Sequence, residues 1–461
     1  MTLPILGKKH LAKLKVSLIK FLYRHKSIAS SKFFPRHLEV FARSLFYRLY
    51  RNQNDRVIYA RGDADIELKA TNLAKDGEFT RSVLIDAQSL QGGSFSRGIG
   101  RYSRVLIENL VAENPDVKFI LLFNNSSPTD NIEFVVNELT RNRLNISYTI
   151  CRLPLENGKV SEKDAITSIS THVRNLNPDI VLFLSIFEHP FDVIPIELNL
   201  GCKTSGIYYD LVPLHFPELF LAIPEAKRVF DQNLHRLKSL DTLLSISKSS
   251  EEYLLKKVGY SGRIETINGG SFFQSTPNTG LEISKRRGIL CVGSDSPHKN
   301  IKTLIISYSL LPIEIRKVHS LYLVGISKNA FSFEIKEVIN SLENHIQFEK
   351  HLSDDELQDK YRSVRLTVAP SLMEGLGMPI LEAWNEGCVA IGSRETSLSD
   401  IIGSENFSFD PNSTSDLSAI MENILVNDSL WLGEHERLLT QRNRYQWSEV
   451  ARKASRILGL K

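Results

Sequence analysis

The chain has 461 residues, 42% of them apolar and 24% charged, with a net charge of +4. That length supports two or three domains rather than one core, and that composition excludes global disorder. The four cysteines, Cys151, Cys202, Cys291 and Cys388, stand far apart without CxxC spacing. They read as buried free thiols in a reducing compartment rather than as a zinc site or a disulfide framework. No apolar run approaches the roughly 18 residues of a membrane span, and the first residues lack the apolar core and cleavage site of a secretory signal. The expected location is cytoplasmic.

Residues 1–60 hold 13 Lys or Arg against two acids, Glu39 and Asp55, a surplus of +11 in a chain that is +4 as a whole. Residues 1–80 thus read as a basic helical extension and linker on a mildly acidic body. Leu11, Leu14, Leu18, Ile19 and Leu22 fall at helical spacing beside Lys13, Lys20 and Arg24. Past Pro35, a second segment repeats the pattern with Leu38, Phe41, Leu45 and Leu49 beside Arg36, Arg43, Arg48 and Arg51. Such helices suit an anionic membrane interface, where each cation contributes about 1 kcal/mol. Packing on the body or on a partner protein is the competing reading. Nucleic acid is disfavoured, because interleaved stacking aromatics and a nucleic-acid motif are missing.

From residue 81 the text alternates short apolar strands with helices. VLID at 83–86, FILLF at 119–123, IVLFLS at 180–185, SGIYYD at 205–210 and TLLSIS at 242–247 read as buried strands of a parallel sheet. The Gly-, Ser- and Asn-rich stretch within 266–287 marks a connection. The pattern then restarts with ILCVG at 289–293, LYLVG at 321–325, HIQF at 345–348, LTVAP at 366–370 and CVAIGS at 388–393. The expectation is α/β: two Rossmann-like doubly wound domains over 81–270 and 286–440, facing a cleft at their strand C-termini. Residues 441–461 form a terminal helix.

Four stretches carry chemistry. LIDAQSLQGGSFSRGIGRYSRVL at 84–106 reads as a strand ending in Asp86, a glycine-rich loop and a helix opening near Arg101 and Tyr102. YYDLVPLHFPELF at 208–220 follows another strand. In CVGSDSPHKN at 291–300, Gly293 permits a turn after a strand and Lys299 stands ready for an anion. In APSLMEGLGMPILEAWNEG at 369–387, a strand is followed by Glu374, by Gly375 and Gly377, and by a helix that opens near Pro379 with Glu382 in its first turn. Glycines allow close backbone approach and the helix mouth offers free N–H groups, so a phosphate there gains about 0.3–1 kcal/mol. Taken alone, Glu382 reads as a dipole-complementing acid and Glu374 as a solvated one; the combination points to a ligand site.

Residues 374–387 resemble the signature of the retaining, family 4 glycosyltransferases of the GT-B fold, and YYDLVPLHFPELF at 208–220 resembles a segment of bacterial polysaccharide mannosyltransferases. Glu374, Gly375, Gly377, Pro379, Leu381, Glu382, Ala383 and Gly387 match the signature. The resemblance implies that Glu374 contacts the donor sugar, that Glu382 binds the nucleotide ribose, and that amides of Gly375, Leu376 and Gly377 bind sugar or phosphate. It makes Gly293 and Lys299 diphosphate-binding, although Ser294 replaces a common Arg. It lays Gly98, Gly100 and Arg101 over the phosphates. Tyr209 takes a slot held by His in some relatives, and Asp210 becomes an acceptor-side group. SKSS at 247–250, the 347–364 stretch and a final helix crossing back to the first domain extend the likeness over 82–461. The implied reaction moves a hexose from a nucleotide diphosphate sugar, GDP-mannose or a UDP-hexose, to a saccharide or lipid-linked glycan, by front-face attack and with retention. No DxD motif stands in a suitable loop, so neither metal nor other cofactor is expected. An inactive relative serving as a scaffold is the alternative.

Overall fold

The structure, a computed structural model, describes residues 57–59, 79–126, 130–141, 143–188, 193–273, 283–350 and 352–461. The two basic amphipathic segments expected within residues 1–60 lie outside the described residues. Among those described, no helix is long and apolar enough to cross a membrane.

The first sheet has seven strands: β1 (Arg81–Asp86), β2 (Val117–Asn124), β3 (Ile146–Cys151), β4 (Ile180–Phe183), β5 (Lys203–Tyr208), β6 (Thr242–Ser245) and β7 (Arg263–Thr266). They lie in the order β3-β2-β1-β4-β5-β6-β7, and every pair is parallel. The second has β8 (Ile289–Val292), β9 (Leu321–Val324), β10 (Ile346–Glu349), β11 (Leu366–Ala369), β12 (Val389–Ser393) and β13 (Ser408–Phe409), in the parallel order β10-β9-β8-β11-β12-β13. Both are doubly wound: the chain moves outward from the first strand, then crosses back to its other side. Ligands in such sheets bind at the C-terminal ends of the two strands flanking that reversal, here β1 and β4 in one sheet, β8 and β11 in the other. An antiparallel ribbon also pairs Val57–Tyr59 with Lys159–Ser161.

All ten strands read from the sequence are present, because central parallel strands are apolar on both faces. Beyond the two strands of the ribbon, three are additional in the two sheets. ISYTIC of β3 and RIET of β7 lie at sheet edges with partly exposed residues, and β13 has only two residues. None of them shows the continuous apolar run of a buried strand.

Among the helices of the described residues, seven bear on the site or join the two lobes: α1 (Gly98–Glu113), α2 (Lys248–Tyr253), α3 (Ile301–Ser309), α4 (Asp354–Ser363), α5 (Met378–Asn385), α6 (Thr396–Ile402) and α7 (Trp447–Leu458). The GIGRY stretch is helical from Gly98, so the helix opens earlier than its expected start near Arg101. Both glycines lie in its first turn. Along α7, Val450, Ala451, Ala454, Ile457 and Leu458 are buried in one stripe. The helix packs on the first sheet's unit: Asn114 Nδ2 donates to Ser455 Oγ at 2.7 Å and Arg263 Nη1 to the Ile457 carbonyl at 3.1 Å.

Candidate active site

The loops after β8 and β11 must meet, because those strands are hydrogen-bonded neighbours. The Leu372 amide donates to the His298 carbonyl at 2.8 Å and ties the two loops together. Lys299 ends a 3-10 turn, Pro297–Lys299, and Asn300 follows in the left-handed region at φ 55°. Lys299 Nζ reaches Glu374 Oε1 at 2.6 Å, and Ser371 Oγ donates to the same oxygen at 2.6 Å. Ser397 of α6 fixes the loop from behind by donating to the Glu374 carbonyl at 2.9 Å. Burial alone would push the Glu374 carboxyl up; the Lys299 ammonium and the hydroxyl bond outweigh it and hold the group below the usual glutamate range. Lysine and carboxylate, far apart in sequence, thus form one ionised pair.

Helix α5 begins beside that pair. Gly377 is its N-cap at φ 86°, a left-handed conformation that disfavours side chains, and a Cβ there would stand 2.5 Å from Leu398 Cδ2. No side chain among the described residues caps the helix. Its mouth keeps unsatisfied N–H groups, and Pro379 near the start removes one that would be orphaned anyway. The Leu376 side chain is core, buried against Tyr102 and the backbone of Gly269, so only its main chain can serve a ligand.

From the first sheet, the turn after β5 faces this loop. Asp210 Oδ1 accepts from the Val212 amide at 3.1 Å. Its other oxygen lies 2.7 Å from where a Cβ on Gly375 would stand. Burial raises the Asp210 carboxyl, Glu374 adds to this, and Lys299 pulls it down. Ser250 of α2 donates to the Tyr209 carbonyl at 2.9 Å and approaches the Gly375 carbonyl at 3.5 Å. Gly375 therefore sits at a close approach of the two lobes. We expect Gly375→Ala to cost about 1–3 kcal/mol through overpacking against Asp210, read as a lower denaturant midpoint; a midpoint unchanged from wild type would show that the loop yields freely.

Glu382 is the fifth residue of α5, so it lies beyond the first turn in which the sequence reading put it. It is 4% exposed, and Oε2 accepts from Tyr361 Oη of α4 at 2.9 Å. Burial pushes its carboxyl up to about 7, with Arg101 and Tyr361 pulling the other way. In an unfolded chain the same group titrates near 4.5. Between these values the folded protein keeps a proton that the unfolded chain releases, so the contribution of this one group to stability is fully present below about pH 4.5 and is lost as pH rises through about 7, on the order of 3 kcal/mol in all. Glu382→Gln should flatten that slope between pH 4.5 and 8 in thermal melts. An identical slope in the variant would assign the titration elsewhere.

Other residues stand differently from expectation. Arg101 bonds Asp354 of α4 at 2.9 Å and lies over the Phe272 ring at 4.5 Å. It therefore accompanies the Glu382 end of the site, while Lys299 accompanies the Glu374 end. Gly100 is needed by the chain itself: a Cβ would collide with the Ser94 and Phe95 carbonyls, so its glycine lets the 92–97 loop close on α1. Gly98 has no described atom within 4 Å of a Cβ, and at Gly293 the nearest, of Ile301, is 3.9 Å away. The Tyr209 hydroxyl pairs with Ser103 Oγ at 2.9 Å and donates to the Ile99 carbonyl at 3.4 Å. It is turned toward α1, and its carbonyl rather than its phenol approaches the Gly375 loop. No role was assigned from sequence to the supporting Ser397, an isolated hydroxyl without periodic signal, nor to Ser250, Ser371 and Tyr361, although these fall within the 247–250, 369–387 and 347–364 stretches.

The family model of the glycosyl transferases group 1 matches residues 274–445. The chain carries a group 1 glycosyltransferase domain. That domain contains Lys299, Glu374 and Glu382, while Asp210 and Arg101 come from outside it. The serotype-specific mannosyltransferase WbdA of Escherichia coli is 28% identical over 394 residues, covering 80% of this chain and 47% of WbdA. The O-antigen chain mannosyltransferase B of Escherichia coli is 26% identical over 373 residues, covering 76% of this chain and 92% of that protein. The chain thus spans about half the length of WbdA. Among solved structures, sucrose-phosphate synthase from Thermosynechococcus elongatus superposes with a TM-score of 0.60 at 17% identity, covering 82% of this chain and 98% of that one. The architecture is GT-B, and the likeness to family 4 enzymes and polysaccharide mannosyltransferases holds beyond the motifs that first suggested it.

Proposed function

We propose that this protein transfers a hexose, mannose before others, from a nucleotide diphosphate sugar to a saccharide or lipid-linked glycan in surface polysaccharide assembly. The observation that carries the reading is the Lys299–Glu374 pair beside the uncapped mouth of α5, at the crossover point of the second sheet, with Asp210 opposite. The mannosyltransferase relatives support the choice of mannose, and GDP-mannose is the first donor to test, a UDP-hexose the second.

In this reading the 286–440 unit holds the donor and the 81–270 unit presents the acceptor. Lys299 meets the diphosphate together with the amides of Gly375, Leu376 and Gly377, and Glu374 is released to bond hydroxyls of the donor hexose. Glu382 accepts from the ribose, with Arg101 near it. Gly293 and Gly98 leave room beside the phosphates. The leaving diphosphate gathers negative charge in the transition state, and fixed amides and a lysine stabilise it without reorganising. Closure of the lobes excludes water and turns binding into proximity. Retention follows if the acceptor attacks on the leaving-group face and the departing phosphate takes its proton, with Asp210 orienting the acceptor. Metal-independent turnover is part of the proposal. So is a peripheral position on the cytoplasmic membrane face through the basic segments.

A screen of GDP-, UDP- and dTDP-sugars by thermal shift, followed by mass spectrometry of transfer products with and without EDTA, tests the donor class, the transfer and its independence of metal. Stabilisation by one nucleotide class and a mass gain of one hexose are expected. Absence of any nucleotide effect and of any transfer would defeat the transferase reading and favour the inactive scaffold, whereas measurable nucleotide binding argues against the scaffold.

A further inference from the structure

A cavity of about 420 Å³ lies apart from the Lys299–Glu374 pair and shares no residue with it. One wall is the outer face of α1, with Val105, Asn109 and Ala112. Another is the face of α5 that carries Leu381, Trp384 and Asn385, one residue round from Glu382. The 442–448 crossing segment, with Arg442 and Trp447, closes the third side. Its volume lies in the range of small-molecule sites.

The lining has a definite chemistry. Indole and phenol rings stand beside planar amides and guanidiniums: Trp384 and Tyr445 meet edge to face at 6.1 Å, and Trp447 is anchored by donating to the Ser271 carbonyl at 2.7 Å. Arg143 is held by Glu108 at 2.9 Å. Two donors in these walls, Trp384 Nε1 and Arg442 Nη1, are buried without a hydrogen-bond partner among the described residues. A hexose ring suits such a lining. Its C–H face packs on aromatic surface, and its adjacent hydroxyls are bridged by planar amide and guanidinium groups, each with fixed donors.

We propose that this cavity binds a hexose oligosaccharide, a second glycan site on the adjacent face of the helix that carries Glu382. The choice of a glycan draws on the transferase reading; the site's existence does not. Occupancy would brace α1 against α5 and so couple glycan binding to the relation of the two lobes.

The test is saturation-transfer NMR with α-mannotriose on the full chain. Signal is expected in wild type and, at similar strength, in Glu374→Ala. It should fall at least fivefold in Ala112→Trp, which fills the exposed rim of the cavity without removing an internal bond. Ser448→Trp, from the opposite wall, replaces it if Ala112→Trp lowers the melting temperature. No signal in wild type, survival in the filled variants, or loss in Glu374→Ala would each overturn the proposal. Failure to transfer any sugar, with the mannotriose signal intact, would instead strike the transferase reading alone.

Discussion

Glu374→Ala should lower kcat about a hundredfold or more with the donor still bound, an effect of the size seen when one fixed partner of a developing charge is removed. The carboxylate has two tasks in the proposed cycle. Before the donor arrives it holds Lys299 at 2.6 Å, and Ser371 holds it. Once the diphosphate takes the lysine, the same carboxylate is free for the sugar. Alanine loses both the orientation of the lysine and the sugar contact. Glu374→Gln keeps hydrogen bonding without the charge and should recover part of the donor affinity but little of the turnover. Steady-state kinetics with the donor found in the nucleotide-sugar screen decide the matter, and wild-type kcat in both variants would remove Glu374 from the site.

The second large effect falls on stability. The side chains of Lys299 and Glu374 are 24% and 14% exposed. Removing the lysine strands a carboxylate that burial already disfavours. Breaking a buried pair from one side costs about 3–5 kcal/mol, and with this residual exposure the lower end is expected for Lys299→Ala. Chemical denaturation should show it directly. The double variant Lys299→Ala/Glu374→Gln should regain most of the lost stability, since the stranded charge has gone, yet bind diphosphate no better than Lys299→Ala. If the double variant stays as unstable as the single one, the loss comes from the lysine stem and the pair is not an ionic unit.

The sequence made the Glu374–Glu382 part of the candidate site readable because its parts are local. Glu374, two glycines, Pro379 and Glu382 lie within one strand–loop–helix unit, where spacing alone fixes their neighbourhood. The pairing of Lys299 with Glu374 needed one more step, that β8 and β11 are adjacent, and the doubly wound order supplies it. Side-chain direction was less accessible. Tyr209 and Asp210 are consecutive, and the sequence could not show that the phenol turns to Ser103 while the carboxylate turns to Gly375. Gly100 looked like a ligand glycine but serves the closure of its own loop, since any glycine after a strand advertises close approach without naming what approaches. Arg101 was assigned to the phosphates; its bond to Asp354 depends on how the two lobes meet, which no local pattern encodes.

The α7 helix has a consequence for how the molecule comes into being. Its stripe of Val450, Ala454, Ile457 and Leu458 covers α1, which was made some 340 residues earlier, as the separation of Asn114 from Ser455 records. On the ribosome the first lobe must wait, with an oily helix face uncovered, until nearly all of the second lobe has emerged. The lobes are thus not separable modules: a gene split in the connection after β7 would yield a first half that clumps, and co-expression of the second half should bring it back into solution.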